Sequence, residues 1–371
     1  MKEVRPLNET TKISVRQFTV LVMFYTIGST ILIIPAGLAA DAKQDAWIAA
    51  IAGVGLGLLL VLLYNRIGNL FPDMTLVQYH ERLLGKWAGK ALSLLYIFFS
   101  FIGAATLLFY MGNFITTQVM PDTPIQFVNM LFALIVVMGL RLGIETLARA
   151  AEIFFPWFIL LFLVMVILIV PQIHVQNIQP VFETGIKPLF KAALSLAGTA
   201  SLTYIVFFMI FPSRVSKPEK AAKAFIIATL LGGIVIIVIT LLTILVLGSD
   251  ATSRHAFPSY VLARKISLGN FVERIESIMA GMWFFSIYFK TTLYFYACVV
   301  GLAHMLKLKD YRPLTLPMGM ILVVYSLVVY PNAVYMAQWD STVFIPYVLS
   351  FGLLIPLFLW GTALFRRKKI K

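Results

Sequence analysis

The sequence predicts an all-α integral membrane protein of ten transmembrane helices, an inverted 5+5 repeat in which helices 1 and 6 are discontinuous. Three observations carry that reading. Sixty per cent of the 371 residues are hydrophobic and only 12% are charged, a balance outside the range of soluble domains. Apolar stretches of about 20 residues, the length that crosses a hydrocarbon core, centre near Gly28, Gly55, Ala105, Ala133, Leu163, Ser201, Ile236, Phe289, Val323 and Leu353. Two of them are interrupted at corresponding places in the two halves of the chain. The run from Ser14 to Ala40 breaks at Gly28-Ser29-Thr30, and the run from Phe190 to Phe211 breaks at Gly198-Thr199-Ala200-Ser201.

Residues 1–371 read as a single transmembrane domain, with five helices in 1–171 and five in 172–371. An odd number of spans per half turns the halves in opposite directions, and matched broken helices then point to a binding site at the membrane midplane. The physical reason is hydrogen bonding. Backbone groups freed by a break find no partner in hydrocarbon, so protein or a polar ligand must take them up. The first apolar run is too long for a signal peptide and has no small-residue cleavage site after it, so it is a retained first span.

Ten spans put both termini on one side, and 22 of the 30 Lys and Arg residues fall there. They lie in the N-terminus, in the loops after spans 2, 4, 6 and 8, and in the tail Arg366-Arg367-Lys368-Lys369. Seven lie opposite, and Lys290 is inside a span. This bias places the termini in the cytoplasm. The net charge of +14 therefore reports topology and anionic lipid contact rather than nucleic acid.

In span 1, Pro35 reinforces the break by disturbing the outer half of the helix. N–H groups at the start of a half-helix attract a carboxylate, and carbonyls at the end of the other half suit an amine or cation. Close helix packing through Gly28 is the simpler alternative. In span 2, Gly53-Val54-Gly55-Leu56-Gly57 sits in an uninterrupted apolar helix, so it serves packing and not a nucleotide loop. The stretch Asn69 to Lys90 is amphipathic and cytoplasmic. Span 3 carries Gly103-Ala104-Ala105 flanked by Phe101 and Tyr110, either to wall a pocket or to pack helices.

The loop from Gly248 to Asn270 includes a short amphipathic segment, Pro258 to Ile266, with proline at its first turn and Gly269 after it. It reads as a lid or as a helix lying on the lipid interface. Glu273 and Glu276, beside Arg274, open span 8 as N-terminal caps or as a cation-attracting rim. Lys290 lies near the middle of span 8, where a charge costs roughly 2.5–3.5 kcal/mol even on insertion scales. It is expected to face the protein interior, with snorkelling to the lipid surface as the remaining alternative. In the interior it contacts a ligand carboxylate, replaces a coupling cation, carries a proton, or tethers the carbonyls of a broken helix. Cys298 is the one cysteine. The four histidines show no metal-ligand spacing, and no nucleophile–base pair appears. Neither a metal, nor a cofactor, nor catalysis is expected.

The run Ile27-Gly28-Ser29-Thr30-Ile31-Leu32-Ile33-Ile34-Pro35, followed by Ala42-Lys43-Gln44-Asp45-Ala46-Trp47, resembles the opening of the endospore germination permeases. Glu273-Arg274-Ile275-Glu276, leading through Phe289-Lys290 to Tyr294, resembles them too. These are the B subunits of nutrient germinant receptors, in the amino acid–polyamine–organocation transporter superfamily. The resemblance implies the leucine-transporter fold and a ligand site among spans 1, 3, 6 and 8. Carried over by position, the site comprises Gly28, Ser29, Thr30, Phe101, Ala105, Gly198, Thr199, Ser201, Lys290 and Thr291. It also implies an A subunit and a lipoprotein C subunit as partners, the spore inner membrane as location, and sensing of an amino acid, sugar or nucleoside. A proton-coupled amino acid transporter of the same superfamily is the alternative. No intramembrane Asp or Glu marks a sodium site, and Lys290 offers a fixed positive charge instead.

Overall fold

The computed structural model describes residues 12–70, 72–266 and 275–370. Span 1 starts where Ser14 and Gln17 form a reciprocal capping box, which satisfies two N–H groups that the first turn leaves open. It runs as α1 (Val15–Ile27) and α2 (Thr30–Ala42). Span 2 is α3 (Ala46–Gly68). A second capping box, Thr75 with Gln78, starts the amphipathic α4 (Leu76–Leu84), and Gly85 at φ 84° ends it. Spans 3, 4 and 5 are α5 (Lys86–Phe114), α6 (Ile125–Leu142) and α7 (Ile144–Ile169).

Span 6 begins as α8 (Ile186–Ala200) and continues as a 3₁₀ helix over Leu202–Met209. Span 7 is α9 (Pro218–Arg254), kinked at Gly248, and the short α10 (Pro258–Arg264) follows. Spans 8 and 9 are α11 (Glu276–Leu306) and α12 (Arg312–Ser326). Span 10 is assembled from α13 (Ala333–Thr342), α14 (Phe344–Leu349), a π turn over Ser350–Leu354, and α15 (Ile355–Ile370). No strand occurs among the described residues beyond one isolated bridge, Ile13 with Val215.

Burial ranks the spans. In spans 6 and 8, 83% of the most apolar window is buried, against 22% in span 5. Spans 6 and 8 are therefore central. Span 5 turns Ile153, Trp157, Leu160, Leu163 and Ile167 outward, as a lipid-facing helix does. Around the centre, α5 packs on α11, while α1 and α2 pack on α9 and α3 packs on α8 and α9.

Glycines set the closest approaches. A Cβ on Gly53 would lie 2.8 Å from the Ala193 carbonyl, and one on Gly57 would strike the Ser201 hydroxyl. The glycine run of span 2 is thus a packing surface for span 6. Gly103 in span 3 leaves its space to the Tyr294 ring.

Two expectations shift. The interruption of span 6 falls at Ser201 rather than across Gly198–Ser201, because Gly198, Thr199 and Ala200 complete α8. Gly198 is a contact point instead, where a Cβ would meet Ile345 at 2.7 Å. The segment after Gly248 does not lie on lipid: Pro258, Ser259, Tyr260, Leu262 and Ala263 of α10 are buried, and α10 packs on α2, α9 and α11. Gly269, Glu273 and Arg274 lie outside the described residues, and Glu276 opens α11.

Candidate functional site

The break in span 1 is a true interruption. Gly28 (φ 16°, ψ −118°) ends α1, its N–H bonded to Phe24, and α2 restarts at Thr30. The break in span 6 is a change of winding at Ser201, after which eight residues take the tighter 3₁₀ turn. Both lie beside α11, and the carbonyls they release are met by side chains of neighbouring spans. Such accounting is obligatory in a buried segment.

Lys290 of α11 serves both breaks at once. It is 2% exposed, and its ammonium donates to the Thr199 carbonyl at 2.9 Å and to Ser29 Oγ at 3.1 Å. The same Nζ stands 5.0 Å from the centre of the Tyr25 ring, within range of a cation–π attraction. Among the described residues no carboxylate pairs with it.

One turn earlier on α11, the Ser286 hydroxyl shares its proton between the Trp283 carbonyl of its own helix, at 3.0 Å, and the Gly28 carbonyl, at 3.3 Å. The Tyr25 hydroxyl donates to the Thr203 carbonyl at 2.9 Å. Tyr204 returns the connection to span 1, its hydroxyl 2.5 Å from Thr26 Oγ1. Because Thr26 gives its own proton to the Val22 carbonyl, Tyr204 is the donor. Tyr64 of α3 shares its proton between the carbonyls of Gly352, at 2.5 Å, and Leu202, at 3.2 Å. Tyr96 of α5 reaches Val206 at 3.4 Å.

The arrangement is closed. The stem of Lys290 fills the gap beside Gly28, where a Cβ would overlap Lys290 Cδ. A hollow between spans 1, 2, 6 and 7, lined by Thr26, Gly53, Ser201 and Thr229 among others, offers about 10 Å³, about enough for one water.

Of the residues expected at the site, the structure brings Gly28, Ser29, Thr199 and Lys290 into one cluster. Thr30 is beside them in sequence, and its hydroxyl is buried with no hydrogen-bond partner. The others point elsewhere. Ser201 faces Gly57 across span 2, Gly198 faces Ile345, and Thr291 donates to the Ile287 carbonyl of its own helix. Phe101 packs on Tyr325 of span 9 at 5.5 Å, while Ala105 is fully buried in α5.

Tyr25, Tyr204, Ser286 and Tyr64 were not legible as members. Spacing offered a clue for two of them: Tyr25 lies three residues before the break and Ser286 four residues before Lys290, hence on the same helical faces. Asp340 is a further surprise. Its carboxylate accepts from the Tyr110 hydroxyl at 2.8 Å and lies 3.5 Å from that of Tyr330, so this acid is held between span 3 and the turn that follows span 9.

Comparison with known proteins places this geometry. A family model described as "Spore germination protein" matches residues 12–334. The chain belongs to the spore germination protein family. Spore germination protein KB of Bacillus subtilis (strain 168) is 32% identical over 97% of both chains. Spore germination protein YndE of the same organism is 24% identical over 87% of this chain and 88% of its own. Spore germination protein B2, also from that organism, is 23% identical over 96% of both.

Among solved structures, Mhp1, a nucleobase-cation-symport-1 family transporter in a closed conformation with bromovinylhydantoin bound, superposes with TM-score 0.72. It is 13% identical and covers 99% of this chain and 82% of its own. MhsT in complex with L-phenylalanine gives TM-score 0.65 at 16% identity, over 94% and 97% of the two chains. At such identities these likenesses establish the fold, the leucine-transporter arrangement expected of a germination permease, and nothing of the ligand. The family and fold are those of permeases and receptors.

Proposed function

We propose that the chain is the nutrient-sensing subunit of a spore germination receptor. It binds a small polar molecule, such as an amino acid, nucleoside or sugar, between the breaks of spans 1 and 6, and it signals to an A subunit and a lipoprotein C subunit. Both termini face the cytoplasm, the membrane is the spore inner membrane, and the two five-helix halves divide near residue 171. The observation that supports this reading most is Lys290, one side chain from span 8 that holds both breaks together.

A ligand entering there competes for Lys290's partners. Its carboxylate or hydroxyls meet the ammonium and the N–H groups opening α2, while an amine takes the Thr199 carbonyl. Binding favours whichever arrangement of the half-helices offers the tighter contacts, and it shifts the equilibrium only by that difference. The test is a thermal-shift screen of amino acids, nucleosides and sugars on the chain co-purified with its partner subunits. Wild type is compared with Lys290→Ala and Gly28→Leu. A compound that stabilises only the wild type supports the site, and one that stabilises all three equally removes it.

A second reading, a proton-coupled amino acid transporter, is favoured by the likeness of fold to a symport-family protein. Uptake of the stabilising compound into proteoliposomes, driven by a pH gradient, selects that reading. Its absence alongside binding selects the sensor.

A further inference from the structure

Pro35 lies inside α2 and has no N–H. In an α-helix the donor for the Ile31 carbonyl is the N–H of residue 35, so this acceptor is left without its helical partner. Ile31 is 0% exposed, so bulk water does not reach this carbonyl. The hydroxyl of Ser259, in the second position of α10, donates to this carbonyl at 2.6 Å. Ser259 is itself 0% exposed.

A hydroxyl also meets a backbone carbonyl near another proline: Tyr64 donates to the Gly352 carbonyl at 2.5 Å, inside the π turn Ser350–Leu354 that precedes Pro356.

We propose that Ser259 is a positioning residue that fastens α10 to the half-helix α2 through the carbonyl Pro35 sets free, so that α10 lifts only when α2 releases it. Several features fit. α10 packs against both α2 and α11, the elements beside Ser29 and bearing Lys290. Phe114 of α5 closes the other side, its ring 5.2 Å from Tyr260 and 4.8 Å from Trp283. A shift of α2 that accompanies ligand entry therefore has a direct mechanical route to α10. A helix anchored only by apolar contacts could slide, whereas one buried hydrogen bond to a carbonyl with no alternative donor fixes its register. The inference borrows the ligand reading for its purpose, but its test needs no ligand.

The experiment measures maleimide labelling of Ala263→Cys, a fully buried position of α10, in a Cys298→Ala background and lipid nanodiscs. Ser259→Ala is expected to raise the labelling rate about fivefold, the weight of one typical net hydrogen bond, while Ser259→Thr leaves it unchanged. Pro35→Ala restores an N–H to the Ile31 carbonyl, so in that background Ser259→Ala should change labelling far less. Size-exclusion profiles and melting transitions establish that each variant is folded. If Ser259→Ala lowers the melting temperature without changing labelling, Ser259 is merely a cap and the proposal falls. It falls equally if Ser259→Ala has the same effect in the Pro35→Ala background as with the proline in place.

Discussion

Replacing Gly28 by alanine sets a methyl group against the one side chain that spans both breaks. The added Cβ would overlap Lys290 Cδ and lie 2.9 Å from the Tyr25 carbonyl and 3.1 Å from Lys290 Cβ. The lysine stem is flexible and the carbonyl is not, so the stem moves. Overpacking of this kind costs about 1–3 kcal/mol. The displaced ammonium also loses contacts to Ser29 and Thr199, each a charge-assisted hydrogen bond of roughly 1.5–3 kcal/mol. With part of that regained elsewhere, the expected total is about 3 kcal/mol. Lys290→Ala removes the Cδ that the methyl meets and already forfeits both hydrogen bonds. Gly28→Ala should then cost much less in the Lys290→Ala background, with a coupling of about 1–3 kcal/mol. Unfolding free energies from SDS titration of the four proteins in mixed micelles close the cycle. Additivity within about 0.5 kcal/mol would mean that Gly28 and Lys290 do not act on one another, and the closed cluster would be wrong.

Other consequences can be measured independently. Tyr64→Phe removes the proton shared by the carbonyls of Gly352 and Leu202, and should destabilise by about 1–3 kcal/mol, the desolvation cost of a stranded acceptor. Asp45 is 0% exposed and accepts from the N–H groups of Phe182 and Thr184 and from the Thr184 hydroxyl. Asp45→Ala should release the two amides to fast hydrogen exchange while amides within α11 stay protected. His80 of α4 is 0% exposed, and burial pulls its imidazole down to about 3. The unfolded chain takes up this proton near the usual value of about 6.5, so stability is full above that pH and is lost as the pH falls towards 3. Between pH 6.5 and 5 the loss should be about 1.6 kcal/mol, the slope rising from half a proton to nearly one. His80→Phe should flatten that part of the profile, and an unchanged slope would show that His80 is not its source.

The sequence exposed what depends on local chemistry. Gly28-Ser29-Thr30 with Pro35 announced the break in span 1, because a residue without a side chain and one without an N–H both weaken a helix wherever they stand. Lys290 announced itself by its depth. The interruption in span 6 was legible only to within a few residues. Its small residues serve packing against Ile345 and Gly57, and the change of winding at Ser201 is accompanied by hydroxyls from three other spans. Tyr25, Tyr64 and Tyr96 look like ordinary apolar ballast in a membrane sequence, since nothing local shows where a phenol points. Asp340 hid for the same reason. An acid near a span end reads as solvated until Tyr110 and Tyr330 are found beside it.

The 3₁₀ segment of span 6 is also a length of chain held stretched. A 3₁₀ helix rises about 2.0 Å per residue and an α-helix about 1.5 Å. The eight residues Leu202–Met209 therefore occupy roughly 4 Å more of the membrane's depth than the same residues would as α-helix. Phenols from three spans meet carbonyls of this longer reach, Tyr25 at Thr203, Tyr64 at Leu202 and Tyr96 at Val206, so the extra length of span 6 is matched by side chains set at successive depths around it.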